Sequence, residues 1–415
     1  MDLIIGAGVT GLSYANFTQN KCLVVEGSES PGGYCKTLKR NGFVWDYSGH
    51  FFHFRYPELE AFVCKNIPEE DLAHVQKHTQ ILYNGKYIDF PFQKNIHQLD
   101  KQEFIDCLYD LFNTNSSDNV STFKEMLYAK LGRSIAEKFL IPYNEKLYAC
   151  DLNRLDMEAM GRFFPKATPE EIIKNFKDGD NRSYNSYFTY PKGGAIQYID
   201  SILQNINCEI LYNTFISKID IQNKIAYSAN GQEFKYDNLI STMPFPQLLD
   251  VTGLDYDKTL FTCNKVLVFN LGFDKKGFDK KNSWIYIPSK DFVFYRIGYY
   301  DNILSTDRLS LYIEIGMAEN APLPDERGLL SKVIEDLIKA GIIDDTYELV
   351  DYQTILMNPA YVHVNKLSAQ AVEKYKSQLE KDNIYSIGRY GSWIYCSIED
   401  NILEAKELAG RVSKV

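Results

Sequence analysis

The stretch DLIIGAGVTGLSYANFTQNKCLVVEG, Asp2 to Gly27, decides how the rest of the chain is read. A short apolar run leads into glycines, an apolar pattern at helical spacing follows, and a second apolar run ends on an acid. That order reads as strand, tight turn, helix and strand. Gly6, Gly8 and Gly11 have the GxGxxG spacing. The first glycine makes the turn, the second lets the backbone approach a pyrophosphate, and the third lets helix meet strand. N–H groups at the helix start then hold phosphate oxygens. Glu26 closes the second strand, where a carboxylate accepts hydrogen bonds from both ribose hydroxyls. A lone GxGxxG is weak, but strand, glycines, helix, strand and acid in order predict a dinucleotide site rather than a chance glycine-rich turn.

Bulk composition limits what surrounds this unit. A chain of 415 residues with 45% hydrophobic content has room for two or three packed units, since single cores rarely exceed roughly 250–300 residues. Its 55 acidic and 45 basic residues give a net charge of −10 with no Lys/Arg-rich run, which excludes the electrostatic footprint of a nucleic-acid binder. Any anionic ligand must be met by a few local cations. Eight cysteines are scattered without a CxxC pair and read as core thiols of a reducing compartment. The chain passes from Met1 straight into a strand pattern and holds no apolar run near the ~20 residues that span a bilayer. No signal peptide, no membrane insertion and a cytoplasmic location are therefore expected.

Further on, VWDYSGHFFHFRYPEL (Val44 to Leu59) places His50 and His53 three residues apart. That spacing suits metal ligands on a helix, not a glycine-bearing aromatic stretch, and no Asp, Cys or His cluster completes a shell. No metal is expected. Nor does a Ser/His/Asp set, an HExxH or a paired-carboxylate motif stand out.

NAD and FAD share the glycine fingerprint, so the following residues must choose. In GSESPGGYCKTLKRNGFVWDYSGH (27–50), Gly32 and Gly33 make a second close-approach turn, Lys36 supplies a cation and Thr37 a hydroxyl. This resembles the second glycine motif of the large flavoprotein family that contains amine oxidases, protoporphyrinogen oxidase, phytoene desaturase and UDP-galactopyranose mutase, whose cofactor is FAD. The family usually has Arg where Tyr34 or Lys36 stands. Two later segments, YPKGGAIQYIDSIL (190–203) and YDNLISTMPFPQLL (236–249), look like its return strands to the FAD domain.

Within that family the chain resembles the UDP-galactopyranose mutases. DYSGHFFHF is similar to their Gly/His/aromatic/His stretch, and YNGKYIDFPFQKNI (83–96) to their NGK-x-x-x-(L/F)PF segment. PYNEKLYACDLNRLDMEAMGRFFP (142–165) resembles a Tyr-x-x-Lys-x-(Trp/Tyr) helix running to an arginine, here Arg162. FVFYRIGYYDN (292–302) is close to the mutase FYR segment, giving Arg296, and NPAYVHV (358–364) to a YPV segment, giving Tyr361. GRYGSWIYCS matches GR-x-G-x-(Y/W)-x-Y, giving Arg389, Gly391 and Tyr395. Three departures are visible: Ser48 stands where related sequences often have glycine, Val362 replaces the proline of YPV, and Tyr148 stands where a tryptophan would stack a uracil.

The resemblance implies a flavin-dependent mutase that interconverts the pyranose and furanose forms of a nucleoside-diphosphate sugar, UDP-galactose-like, for surface polysaccharide precursors. It would act through a flavin N5–sugar adduct on reduced FAD, with NAD(P)H as a transient reductant. Arg162 and Arg296 would clamp the leaving diphosphate, which suits forked guanidinium donors. Tyr143, Tyr148, Tyr361 and Tyr395 would line the substrate cleft, and Arg389 and Gly391 would contact the cofactor. Gly49 and His50 would face the isoalloxazine with His53 packed behind, so His53→Ala should cost stability more than chemistry. The alternative is an FAD-dependent oxidase or desaturase of the same superfamily, with an apolar tunnel and net two-electron chemistry. The family contains differing assemblies, and an oligomer is compatible with the sequence.

The implied architecture is α/β: a discontinuous Rossmann-type FAD-binding domain (1–60, 190–250 and 375–415), an inserted helical substrate domain (95–175) and an antiparallel β-sheet domain (61–94 and 261–365). Helical periodicity in KQEFIDCLYDLF, STFKEMLYAKLG and SIAEKFLIPY supports the second, and alternation in KVLVFNLGF and RLSLYIEIG the third. DKKGFDKKNS (274–283) reads as a solvated loop.

Overall fold

The computed structural model describes residues 1–114, 120–179, 181 and 186–413 and has a mixed α/β fold. Its first layer is a five-stranded parallel sheet in the order Ile384–Ser386, Asn238–Ser241, Asp2–Ile5, Cys22–Val25, Glu209–Leu211. All four residues of the central strand are buried because both faces are covered, which is why the run is continuously apolar rather than alternating. Leu3, Ile5, Val25 and Leu239 pack toward Phe245–Thr252 and Lys366–Glu380. Ile4, Val24 and Ile240 pack toward Val9–Phe17, Ile196–Leu203 and Ile398–Val412. Asp2, fully buried, accepts hydrogen bonds from Tyr14 (2.7 Å), Thr18 (3.1 Å) and Asn238 (2.8 Å), so one satisfied carboxylate ties strand, helix and neighbouring strand together.

The second layer is a seven-stranded sheet, Leu349–Met357, Asn264–Phe273, Ser310–Ala318, Arg296–Tyr299, Trp284–Tyr286, Thr79–Tyr83, Lys86–Asp89, antiparallel except where Trp284–Tyr286 meets Thr79–Tyr83. All ten residues of Asn264–Phe273 are buried. Trp45, Phe51, Tyr190 and Tyr300 pack on this sheet and, with its own Trp284 and Tyr312, form an aromatic core. Asp46, also fully buried, joins the layers: it accepts from Thr37 Oγ1 (2.6 Å), Tyr190 Oη (2.8 Å) and Ala195 N–H (3.1 Å), while its carbonyl takes Asn270 Nδ2 (2.9 Å).

Helices Lys101–Phe112, Phe123–Ile135 and Ile141–Tyr148 form the roof around their own core. Phe123–Ile135 starts at a capping box made by Thr122 and Glu125. Ile141–Tyr148 stops at Ala149, which takes a left-handed conformation. That helix can lie on strand Ser310–Ala318 because Gly316 has no side chain; a Cβ there would fall 2.0 Å from the Lys146 carbonyl. Lys146 Nζ donates to the carbonyls of Ile287 (3.1 Å), Ser289 (2.7 Å) and Phe294 (2.5 Å), fixing the segment that leads into Arg296.

The strand expected at 190–203 does not return to the parallel sheet: Tyr187–Pro191 pairs antiparallel with Leu72–Gln76. What returns is the helix Ile196–Leu203, which packs on Leu12 and Tyr14, followed by Glu209–Leu211 as the edge strand. Ile196, Ile199 and Ile202 recur at helical spacing and pack on the sheet, so most of this segment is helix rather than strand.

Candidate active site

A cavity of about 820 Å³ runs between the two sheets and under the helical roof. At one end lie the glycines. Gly6 has φ +103°, and a Cβ on it would fall 2.2 Å from Thr242 Oγ1, while a Cβ on Gly11 would fall 2.0 Å from the Gly6 carbonyl. Gly8 pairs with Gly32 as a β-bridge, so two bare backbones run side by side along the cavity. The helix Val9–Phe17 starts at Gly8 without a side-chain cap, which leaves its first N–H groups for an anion. Glu26 is held by Ala7 N–H (2.7 Å), Ser28 N–H (2.8 Å) and Ser28 Oγ (2.7 Å). Lys36 Nζ donates to Ser28 Oγ (3.2 Å) at the same end.

Two expected cofactor residues do other work. Thr37 spends its hydroxyl on Asp46 (2.6 Å) and on Ile196 N–H (3.1 Å), and it does not line the cavity. Gly391 lies behind the wall, where a Cβ would fall 3.1 Å from Ser386 Oγ; its role is close packing.

The middle of the cavity is bounded by the irregular loop Ser48–Phe54. His50 Nδ1 lies 3.2 Å from the Ser48 carbonyl. A carbonyl only accepts, so Nδ1 carries the proton and Nε2 is an acceptor. His53 also lines the cavity rather than packing behind, with Nδ1 3.0 Å from the Tyr187 carbonyl.

Burial pushes both imidazoles down to about 4. Both are therefore neutral in the folded chain at pH values where an unfolded histidine, with pKa ~6.5, charges. Unfolding between these limits takes up protons, so stability falls as pH drops through the window. Asp46, pushed up to about 6 by burial, has the opposite sign: it keeps a proton that the unfolded chain releases, and offsets one histidine. The melting temperature is expected to fall on acidification from pH 6.5 toward 4, more shallowly in His53→Gln. A profile flat across that range would contradict the assignment.

At the far end lie the arginines. Arg296 makes a two-point ion pair with Glu314, Nε to Oε2 at 2.7 Å and Nη2 to Oε1 at 2.6 Å. Arg162 Nη2 donates to Asp400 (2.8 Å) and to Ser397 Oγ (3.0 Å) at the start of the last helix. Both guanidiniums line the cavity, but each already holds a carboxylate. Arg389 differs. It donates to the carbonyls of Cys396 (3.1 Å) and Ala360 (3.4 Å), sits 5.3 Å from the Tyr361 ring and 4.9 Å from the Tyr395 ring, and among the described residues has no ion-pair partner. Tyr143, Tyr361 and Tyr395 line the cavity. Tyr148 does not: it is 1% exposed and packs against Tyr361 and His363 in the roof core. The helix turns its side chain inward, so it is no stacking platform for a base.

Glu314 and Asp400 are the residues that sequence reading missed. Glu314 had a signal, a single acid inside the apolar run RLSLYIEIG, since a charge in a central strand is almost never buried unpaired. Asp400 had one too: Ser397 and Asp400 form the capping box of Ile398–Val412.

The profile of the family described as "Flavin containing amine oxidoreductase" matches residues 10–412. The chain belongs to this family. Its fold is that of reduced UDP-galactopyranose mutase, with a TM-score of 0.92 at 24% identity over 99% of this chain and 95% of the other. A protein of Exiguobacterium sp. 255-15 assigned as a protoporphyrinogen oxidase aligns with a TM-score of 0.79 at 16% identity, over 100% and 98% of the two chains. A coproporphyrinogen III oxidase of Staphylococcus aureus (strain NCTC 8325 / PS 47) is 24% identical over 324 residues, 66% of this chain and 68% of that one. The family is flavin-containing, and the glycine end of the cavity fits such a cofactor. Bare backbone at Gly6, Gly8, Gly32 and Gly33, an uncapped helix start and an oriented Glu26 suit the pyrophosphate and ribose of FAD.

Proposed function

We propose that the protein is a flavin-dependent mutase that interconverts pyranose and furanose forms of a nucleoside-diphosphate sugar. The observation that carries the reading is the convergence of Arg162, Arg296 and Arg389 with Tyr143, Tyr361 and Tyr395 on the cavity whose other end fits FAD. In a chain of net charge −10, such a cluster of cations and phenols fits a dianionic diphosphate carrying hydroxyls.

FAD would be held by Gly6, Gly8, Gly32, Gly33 and Glu26, and in reduced form it supplies the nucleophilic chemistry that opens a sugar ring without net redox. NAD(P)H, entering transiently, would be its reductant. The chain's own residues bind, orient and neutralise. Arg296 presents the guanidinium edge that Glu314 leaves open. Arg162 exchanges Asp400 for a phosphate oxygen, and the two guanidiniums meet the charge that the leaving diphosphate carries. His50, neutral with its proton on Nδ1, offers Nε2 as an acceptor near the cofactor.

The second reading is an FAD oxidase acting on a porphyrin-like or amine substrate. The cavity's phenylalanine wall, Phe139, Phe163 and Phe164, and the Staphylococcus aureus relative favour it. One experiment separates them: the yellow protein is reduced with dithionite, incubated with a panel of nucleotide sugars and chromatographed. Interconversion that needs reduced flavin is the expected result. Substrate-driven bleaching of oxidised flavin by a porphyrinogen or amine, with no sugar conversion, would replace the first reading by the second.

A further inference from the structure

Ser48 breaks two local habits at once. It has φ +81°, a left-handed conformation that residues with a side chain adopt at a cost and that glycine adopts freely. It is also a buried hydroxyl, 4% exposed, at the wall of the cavity. Glycine would fit the backbone better, so the side chain must have a use.

That use is visible in its contacts. Ser48 Oγ donates to Glu314 Oε1, the oxygen that also accepts from Arg296 Nη2. The Ser48 carbonyl in turn accepts from His50 N–H (2.9 Å), from His50 Nδ1 (3.2 Å) and from Tyr300 Oη (3.3 Å). Glu314 is 1% exposed. Its carboxylate is thus gripped by the Arg296 fork on one side and by Ser48 on the other.

We propose that Ser48 is a positioning residue: through Glu314 it locks the Arg296 guanidinium in register with the His50 loop, so that the anion-binding edge and the cofactor-facing loop form one rigid piece. This rests on the nucleotide-sugar reading of the cavity. Glu314 takes Nε and one Nη2 hydrogen of Arg296, which leaves Nη1 and the second Nη2 hydrogen for a ligand oxygen. Without Ser48, the carboxylate loses one donor and the fork can turn with it. A diphosphate must then order the arginine itself, which weakens binding and misplaces the leaving group.

The test uses the FAD-loaded protein, with UDP as the probe for calorimetric binding and a nucleotide sugar for turnover. Ser48→Gly relieves the backbone and removes the hydroxyl; Ser48→Ala removes the hydroxyl and keeps the unfavourable φ. Both variants are expected to bind UDP about tenfold more weakly, the scale of one lost hydrogen bond to a charged group, with KM rising more than kcat falls. Ser48→Gly should melt no lower than the unmodified protein, and Ser48→Ala should melt lower. A purely structural serine would leave UDP binding unchanged in Ser48→Gly, and that result overturns the proposal. If the unmodified protein itself does not bind UDP, the nucleotide-sugar reading falls and takes this inference with it.

Discussion

Arg296→Ala is expected to abolish turnover, by at least about 100-fold, the scale of removing one preorganised donor to developing charge, and also to lower stability by about 3–5 kcal/mol. The stability loss follows from Glu314. That carboxylate is 1% exposed and its ion-pair partner is Arg296, so truncating the arginine strands a buried charge. Arg296→Ala/Glu314→Gln removes the charge along with the arginine, and should recover most of the melting temperature while recovering none of the activity. Arg162→Ala should behave differently. Its side chain is 32% exposed and Asp400 25%, and half-exposed ion pairs contribute only ~0–1 kcal/mol. Turnover should therefore be crippled with FAD still bound and the melting temperature nearly unchanged. Thermal melts alongside turnover assays separate the two arginines, and near-normal turnover in either variant removes that residue from the diphosphate clamp.

Gly11→Ala is expected to give a colourless protein. The added Cβ would lie 2.0 Å from the Gly6 carbonyl and 3.2 Å from Ile4. Neither can retreat: Gly6 N–H donates to the Val25 carbonyl (2.8 Å), and Ile4 is fully buried in the central strand. The helix must therefore back away from the strand, which moves its first N–H groups away from the pyrophosphate. Overpacking of this kind costs about 1–3 kcal/mol in stability. The larger effect should be on flavin retention, read as the ratio of flavin to protein absorbance after gel filtration. Gly410→Ala is the control: a Cβ there meets nothing within 4 Å, and alanine gains up to ~1 kcal/mol of helix propensity over glycine. Equal flavin content in Gly11→Ala and Gly410→Ala would show that close approach at Gly11 is not what holds the cofactor.

What could be read from the chain and what could not divide along sequence distance. The first strand, turn, helix and second strand are contiguous, and their periodicity and glycine spacing are local properties, so the α/β class and the family were legible from Asp2 to Gly27 and the short segments that follow. Ser48 was legible as a departure, but not as a contact, because its partner Glu314 lies 266 residues away. Arg162 and Asp400 are 238 residues apart, and only folding reveals that each arginine of the expected clamp is already neutralised. Tyr148 shows the same limit at short range: its spacing from Tyr143 places it on the same helix but not on the cavity face. The segment 190–203, expected as a return strand, holds only the end of the strand Tyr187–Pro191, which pairs with Leu72–Gln76, and is otherwise a turn and the helix Ile196–Leu203.

The sequence by itself thus determined the dinucleotide-binding unit and the chemical types at the site, because glycine conformations and apolar periods are set by nearest neighbours. Only the tertiary structure decided which charges meet, which tyrosines face the cavity and why a serine occupies a glycine's conformation. Those outcomes depend on side chains from distant strands competing for the same buried space, where an unpaired charge or hydroxyl is too costly to leave.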